Sequence, residues 1–358
     1  MAFGPRFNLV VGSNAQGKTN VLEALYVAAT LGSFRTRHSP DMVRRGAESA
    51  MVEASFVRRD SPCTVRVALS GQGRRAWFNG KALRQVDDYL GSLAVVLFTP
   101  DDLQLLKGGP LGRRQFLDHL IVQADPQYAA SLRQYQRALK QRNALLFRGQ
   151  AASFDDPGLM AYTRQMTDTA LLVCRARQQA VAAMEPLAGP LVQDISGGTD
   201  RVSLRFSPGL PLTAELLKPE ARDDARQAVM AAYRESFPRD RARGCTTVGP
   251  QRDDVEVFLD DAPLCDHGSQ GQHRSVVLAL KSATVTILTR VFGAPPLLLL
   301  DDLSSELDQK RRARLFSRLL NEGGQVFLTG TEEVLYDLLP AGDRRGFTID
   351  AGEVRVRS

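Results

Sequence analysis

Cysteine is scarce in this chain of 358 residues and is never clustered. Cys63, Cys174, Cys245 and Cys265 have no C-x-x-C spacing. That argues against both a zinc site and a disulfide framework in a protein of this size, so all four read as ordinary thiols. Long apolar runs are also missing. No stretch of about 18 uncharged apolar residues supports a transmembrane helix, and the N-terminus lacks the basic segment and apolar core of a signal peptide. A cytoplasmic protein with no membrane partner is expected. An apolar fraction of 43% speaks against disorder and suits one large domain or two moderate ones.

Charge is close to balanced. The 46 Lys and Arg against 40 Asp and Glu leave a net +6, which by itself only weakly favours a polyanionic partner. The placement is uneven: from Arg113 to Arg148 seven Lys or Arg face two acids. A nucleic-acid contact and a solvated helix face explain that excess equally well.

The first clear element is an apolar stretch at residues 7–11 that runs into Gly12-Ser13-Asn14-Ala15-Gln16-Gly17-Lys18-Thr19 and then into apolar residues 21–26. That order reads as strand, glycine loop, helix. Alternating segments at 51–57 and 64–69 predict antiparallel strands, and Asn79-Gly80 suits a type I′ hairpin. The continuous apolar run at 93–98 reads as a strand buried on both faces. Further on, Tyr128, Leu132, Tyr135, Leu139, Arg142 and Leu146 recur at helical steps, and so do Leu159, Tyr162, Met166, Thr169, Val173, Ala176, Ala180 and Ala183. With breakers at 149–158 between them, the two stripes predict an antiparallel helical pair, either a protruding arm or the core of a compact helical subdomain. Strand signals return at 255–259, 297–300 and 326–329. The expected fold class is α/β, with residues 1–112 and 244–358 as the two parts of one domain and 113–243 inserted between them.

Gly12-x4-Gly17-Lys18-Thr19 is a complete P-loop pattern, whose glycines let backbone NH groups turn onto phosphate oxygens at a helix N-terminus. Lys18 is expected on the β- and γ-phosphates of ATP and Thr19 on Mg2+, with Ser13, Asn14, Ala15, Gln16 and Asn20 completing the cradle. Pro295-Pro296-Leu297-Leu298-Leu299-Leu300-Asp301-Asp302 has a Walker B layout. At the C-terminal end of such a strand Asp301 can reach Mg2+, and Asp302 stands where a water-polarising acid is needed.

Gly268-Ser269-Gln270-Gly271-Gln272, followed by helical residues 275–288, resembles the signature sequence of ABC ATPases. The resemblance implies that Ser269, Gln270, Gly271 and Gln272 face the γ-phosphate of ATP held by another subunit, and hence an ATP-dependent homodimer. Ser304-Ser305-Glu306-Leu307-Asp308 resembles the D-loop after Walker B, and Leu328-Thr329-Gly330-Thr331 ends a strand where the sensor residue of that class lies. The fold so implied is an ABC-type P-loop ATPase domain, a mixed sheet with helices, split by an inserted helical arm.

Segments outside the nucleotide motifs narrow the resemblance. Ser33-Phe34-Arg35-Thr36, Thr99-Pro100-Asp101-Asp102-Leu103, Arg113-Arg114-Gln115-Phe116-Leu117-Asp118, Tyr135-x-x-Ala138-Leu139-Lys140-Gln141-Arg142-Asn143 and Gly249-Pro250-Gln251-Arg252-Asp253-Asp254 are together similar to the RecF family. The resemblance implies an ATP-switched dimer that binds double-stranded and gapped DNA, works with RecR and RecO and promotes RecA loading, with hydrolysis as a switch. On that mechanism the candidate DNA contacts are the basic residues Arg113, Arg114, Arg133, Arg137, Lys140 and Arg142, with Arg35, Arg37, Arg74 and Arg75 as a second set. The chain departs from the pattern twice. Few residues precede the strand at 7–11, where the family has a further strand and an Asn-Phe-Arg-Asn-like segment, as a mis-assigned start or a truncation would explain. Gln251 stands where the family usually has His, which leaves a catalytic or DNA-contacting role there in doubt. A transporter ATPase subunit does not account for the long helical insertion, and an SMC-like tether needs far longer heptad arms. A small-molecule kinase leaves the Ser269–Gln272 motif unexplained.

Overall fold

Every residue of β1 (Phe7–Val11) is buried, as a strand with parallel neighbours on both sides requires. Those neighbours are β11 (Val326–Gly330) and β12 (Arg344–Asp350). Beyond β11 lie β10 (Leu297–Leu300) and then β6 (Val95–Phe98), both parallel to it, and β13 (Glu353–Arg357) closes the other edge antiparallel to β12. The computed structural model describes residues 1–36, 38–85, 88–198, 200–302, 324–330, 339 and 341–357. They form two compact units, Met1–Leu103 with Asp194–Gly197 and Val277–Ser358, and Gln104–Gln193 with Gly198–Val276.

The first unit holds the six-stranded sheet and a second, antiparallel one of β2 (Ser49–Arg58), β3 (Ser61–Ser70), β4 (Gly73–Phe78) and β5 (Lys81–Ala82). Asn79 and Gly80 have φ of 49° and 77°, the left-handed pair that the hairpin turn demands. Helix α1 (Lys18–Thr30) uses two faces. Leu22, Tyr26 and Ala29 pack with Val95, Leu299 and Phe327 of the large sheet. Val27, Ala28 and Leu31 pack with Val65, Val67 and Leu69 of the antiparallel one, so the helix that carries Lys18 and Thr19 is clamped from both sides.

The second unit is mainly helical: α2 (Gln104–Lys107), α3 (Pro110–Ala124), α4 (Pro126–Phe147), α5 (Pro157–Ser196, whose last residues from Asp194 belong to the first unit) and α6 (Arg222–Arg243). Asp125 caps α4 by accepting from the Gln127 NH at 2.9 Å, with Pro126 in the first turn. The two sequence stripes are ordinary core. Tyr135, Ala138 and Leu146 meet Leu159, Met166 and Cys174, and α6 completes the cluster with Val229, Tyr233 and Phe237. Of the α5 stripe, Leu159 and Met166 belong to that core, Val173 is buried outside it, and Ala183 is exposed. β7 (Val202–Ser207), β8 (Asp254–Leu259) and β9 (Ala262–Pro263) form a separate antiparallel sheet. The strand signal at 255–259 is therefore met by β7 and not by the large sheet. After α7 (Leu264–His267), α8 (Gln270–Phe292) starts in this unit and ends in the first. Helix α8 is long and apolar enough to cross a membrane, but Val276, Leu280, Ala283 and Leu288 are buried in protein. All four cysteines are free thiols.

Candidate nucleotide site

The loop after β1 is shaped by close approach. A Cβ on Gly12 would lie 2.4 Å from the Ile349 carbonyl oxygen on β12, so only glycine fits there. Gly17 precedes α1 with φ 106°, and Ala15 is also left-handed at 64°. Gln16 ties the loop to the turn between β12 and β13: its side-chain oxygen accepts from the Ala351 NH at 2.5 Å, and its carbonyl accepts from Gly352 at 3.1 Å. Lys18, 7% exposed, folds back over this loop. Its ammonium donates to the Gly12 and Ser13 carbonyls at 2.8 and 2.9 Å and reaches Asn14 Oδ1 at 3.5 Å. A cation held above a helix N-terminus makes a seat for phosphate. Gly12→Ala is expected to weaken nucleotide binding by about tenfold or more, because the loop or β12 has to move and such backbone strain costs roughly 1–3 kcal/mol. Titration with a fluorescent ATP analogue measures it, and unchanged affinity refutes it.

The strand order places β11 between β1 and β10, which brings three sequence candidates together. Asp301, just past β10, accepts at Oδ1 from the Thr19 hydroxyl at 3.1 Å and the Thr329 hydroxyl at 2.6 Å. Thr329 Oγ1 in turn accepts from the Asp302 NH at 3.0 Å. Thr329 thus fixes the Asp301 carboxylate and the Asp302 backbone, whose φ is 44°. The Thr19 hydroxyl and the Asp301 carboxylate are hard oxygen donors, the set that Mg2+ takes together with phosphate and water. The Asn20 side chain accepts at Oδ1 from Arg35 at 3.0 Å, and Arg35 also pairs with Glu23, while Asn20 Nδ2 stays beside Gly17, 3.7 Å from where a Cβ there would stand. The D-loop candidates Ser304 to Asp308, Thr331 and Arg37 lie outside the described residues.

The signature candidates lie in the second unit, where Ser269 and Gln272 cap α8 reciprocally. The Gln272 NH donates to Ser269 Oγ at 3.2 Å and the Ser269 NH to Gln272 Oε1 at 3.0 Å. This is a capping box, spelled S-x-x-Q in the sequence and missed there. Because Ser269 Oγ accepts the amide, its own proton stays free to be donated. Gln270 and Gly271 form the first turn of the helix, where unpaired NH groups point outward.

Several arginines expected on DNA are spent inside the second unit. Arg142 is fully buried and pairs with Asp240 at 2.9 Å. Arg113 grips both Asp254 oxygens at 2.7 and 2.9 Å, and Arg114 donates to the Asp253 carbonyl at 2.7 Å. Each lost its solvent-facing role to a carboxylate or carbonyl far away in sequence. Arg137, Lys140, Arg74 and Arg75 are exposed. The Arg-Asp-Asp motif at 252–254 joins a buried hub in which Arg177 binds Asp118 through two nitrogens at 3.0 Å, Asp253 at 2.8 Å and the Pro250 carbonyl at 2.7 Å. Burial raises the Asp253 carboxyl, opposed by Arg177 and by the Gly209 NH. Burial beside that carboxylate pushes the Cys174 thiol well above its usual value, which makes it inert. Gln251 is part of the same framework. Its side-chain oxygen accepts from the Tyr135 hydroxyl, and its amide donates to the Val248 carbonyl at 2.8 Å.

Comparison with known proteins agrees with this geometry. A family model described as RecF/RecN/SMC N terminal domain matches residues 1–339. The DNA replication and repair protein RecF of Halalkalibacterium halodurans is 36% identical over 331 residues, covering 92% of this chain and 88% of its own. The chain belongs to the RecF family. The RecF protein of Geobacter metallireducens is 37% identical over 352 residues (98% and 94% of the two chains), and that of Synechococcus sp. (strain JA-3-3Ab) 39% over 332 (92% and 86%). The solved structure of a recombination mediator protein RecF–ATP complex of the RecFOR pathway superposes with a TM-score of 0.90 at 26% identity, covering 100% of this chain and 93% of the other. An Smc head bound to the C-winged helix domain of ScpA gives 0.54 at 17% identity (100% and 91%), a likeness of fold alone. The fold is thus the ABC-type ATPase α/β architecture shared by RecF and SMC heads.

Proposed function

We propose that this RecF-family chain is a slow, cytoplasmic ATPase whose ATP-bound dimer clamps duplex DNA at gaps and, with RecR and RecO, promotes RecA loading. The reading rests most on the line Thr19–Asp301–Thr329, which joins the P-loop helix, the Walker B strand and the strand between them through hydrogen bonds of 3.1 and 2.6 Å. Lys18 and the loop amides bind the triphosphate, and Gly12 and Gly17 shape that cradle. Thr19 and Asp301 hold Mg2+, which when bound neutralises charge on the β- and γ-phosphates. Asp302 polarises the attacking water. Because its carboxylate is shorter than that of Glu, water positioning is poorer and turnover falls below about 1 per second, the low end of ordinary enzymes. Ser269, Gln270, Gly271 and Gln272 of a second subunit donate to the γ-phosphate, so the dimer lasts as long as ATP does. Arg137, Lys140, Arg74 and Arg75 supply exposed positive charge for the DNA backbone.

Anisotropy of a labelled gapped duplex, titrated with and without ATP and Mg2+, tests the clamp. Binding is expected to require ATP, to be lost in Lys18→Ala, and to weaken steeply as salt rises, as phosphate contacts demand. Binding indifferent to ATP, or flat against salt, refutes the reading.

A further inference from the structure

We propose that His273 is a positioning residue for the turn that starts α8, holding Ser269 in the geometry from which it meets a γ-phosphate. The inference rests on the ATP-dependent dimer proposed above and deepens it. His273 is 2% exposed. Its Nδ1 lies 2.8 Å from the Ser269 carbonyl oxygen, which also accepts the His273 backbone NH at 3.0 Å. A carbonyl can only accept, so Nδ1 carries the proton and the ring is the Nδ1–H tautomer. Nε2 is then a buried lone pair with no partner among the described residues. A leucine would fill the same space without that orphaned atom, so what the imidazole adds is the Nδ1 bond. That bond saturates the carbonyl of the residue whose hydroxyl caps the helix. The ring also sets how the chain enters the turn: a Cβ on Gly268 would stand 2.7 Å from His273 Cε1 and 2.5 Å from Leu264 Cδ1.

Two substitutions separate the bond from the bulk. Asn at position 273 places an amide nitrogen where Nδ1 was, and Leu keeps the bulk without a donor. Sedimentation measures the ATP-dependent monomer–dimer equilibrium, and a fluorescent ATP analogue measures nucleotide binding by the monomer. His273→Leu is expected to weaken dimerisation by about tenfold, the upper range for one hydrogen bond, with nucleotide affinity and melting temperature unchanged. His273→Asn is expected to restore dimerisation. A His273→Leu dimer as tight as wild type overturns the inference, and so does His273→Asn failing as badly as His273→Leu. Selective 15N labelling of histidine reads the tautomer directly. An Nε2–H ring in the wild-type protein overturns the inference whatever the oligomeric state, whereas a wild-type protein that stays monomeric with ATP refutes the dimer and leaves the Nδ1–H signature as the test of the bond.

Discussion

Asp240→Ala is expected to destabilise the second unit by about 3–5 kcal/mol, the cost of leaving a buried partner charge uncompensated. Asp240 and Arg142 are both completely buried. The carboxylate accepts from Arg142 at 2.9 Å, from Ser236 Oγ at 3.1 Å, and from the NH and hydroxyl of Thr247 at 2.8 and 2.6 Å. The guanidinium also donates to Thr163 and Thr246 and lies over the Tyr233 ring. Alanine removes every acceptor on one side and strands the positive charge in the core that α4, α5 and α6 share. The double replacement Arg142→Met, Asp240→Leu is expected to recover most of the loss, since a matched apolar pair is often neutral or better. Urea denaturation followed by circular dichroism gives both values. An Asp240→Ala protein within about 0.5 kcal/mol of wild type, the size of an ordinary surface effect, refutes the prediction.

Asp301→Asn is expected to slow ATP hydrolysis by about 100- to 1,000-fold, the usual loss when one electrostatic group is removed from a reacting centre. Asparagine still offers Oδ1 to the hydroxyls of Thr19 and Thr329, so the local fold is retained. What goes is the negative charge assigned above to the proposed Mg2+ site. Nucleotide binding in the absence of Mg2+ is therefore expected to stay close to wild type while phosphate release collapses. Hydrolysis within about tenfold of wild type is too small a change for a metal ligand and refutes the assignment.

The elements legible in the sequence are those fixed by neighbours along the chain. Strand, loop and helix at residues 7–30 followed from one local pattern, as did the buried Leu297–Leu300 strand and the Asn79–Gly80 turn. The arginines were not legible, because a lysine- or arginine-rich helix face reads the same whether water or a distant carboxylate receives it. Arg142 finds Asp240 98 residues later, and Arg113 finds Asp254 141 residues later. No window of the sequence contains either pair. Periodicity likewise identified the two stripes of α4 and α5 but could not say what covered them; α6 does. Lys18, Thr19 and Asp301 were singled out from residue type and spacing, and the structure joins Thr19 to Asp301 by a hydrogen bond. The hold of Gln16 on the turn at Ala351 and Gly352 was invisible, since it depends on the order of strands in the sheet. The reciprocal cap of Ser269 and Gln272 was within reach, because S-x-x-Q before a helix announces it.

The place of β1 in the sheet sets a timetable for synthesis. Its hydrogen-bonding neighbours are residues 326–330 and 344–350, so β1 has no partner in the sheet until residues more than 300 positions further along have been made. Such distant pairing is slow to form. The loop after β1 waits with it, because the turn at Ala351 and Gly352 that steadies Gln16 is made later still. On the proposed function, the capacity to bind a nucleotide arrives only once the message has been read to residue 352.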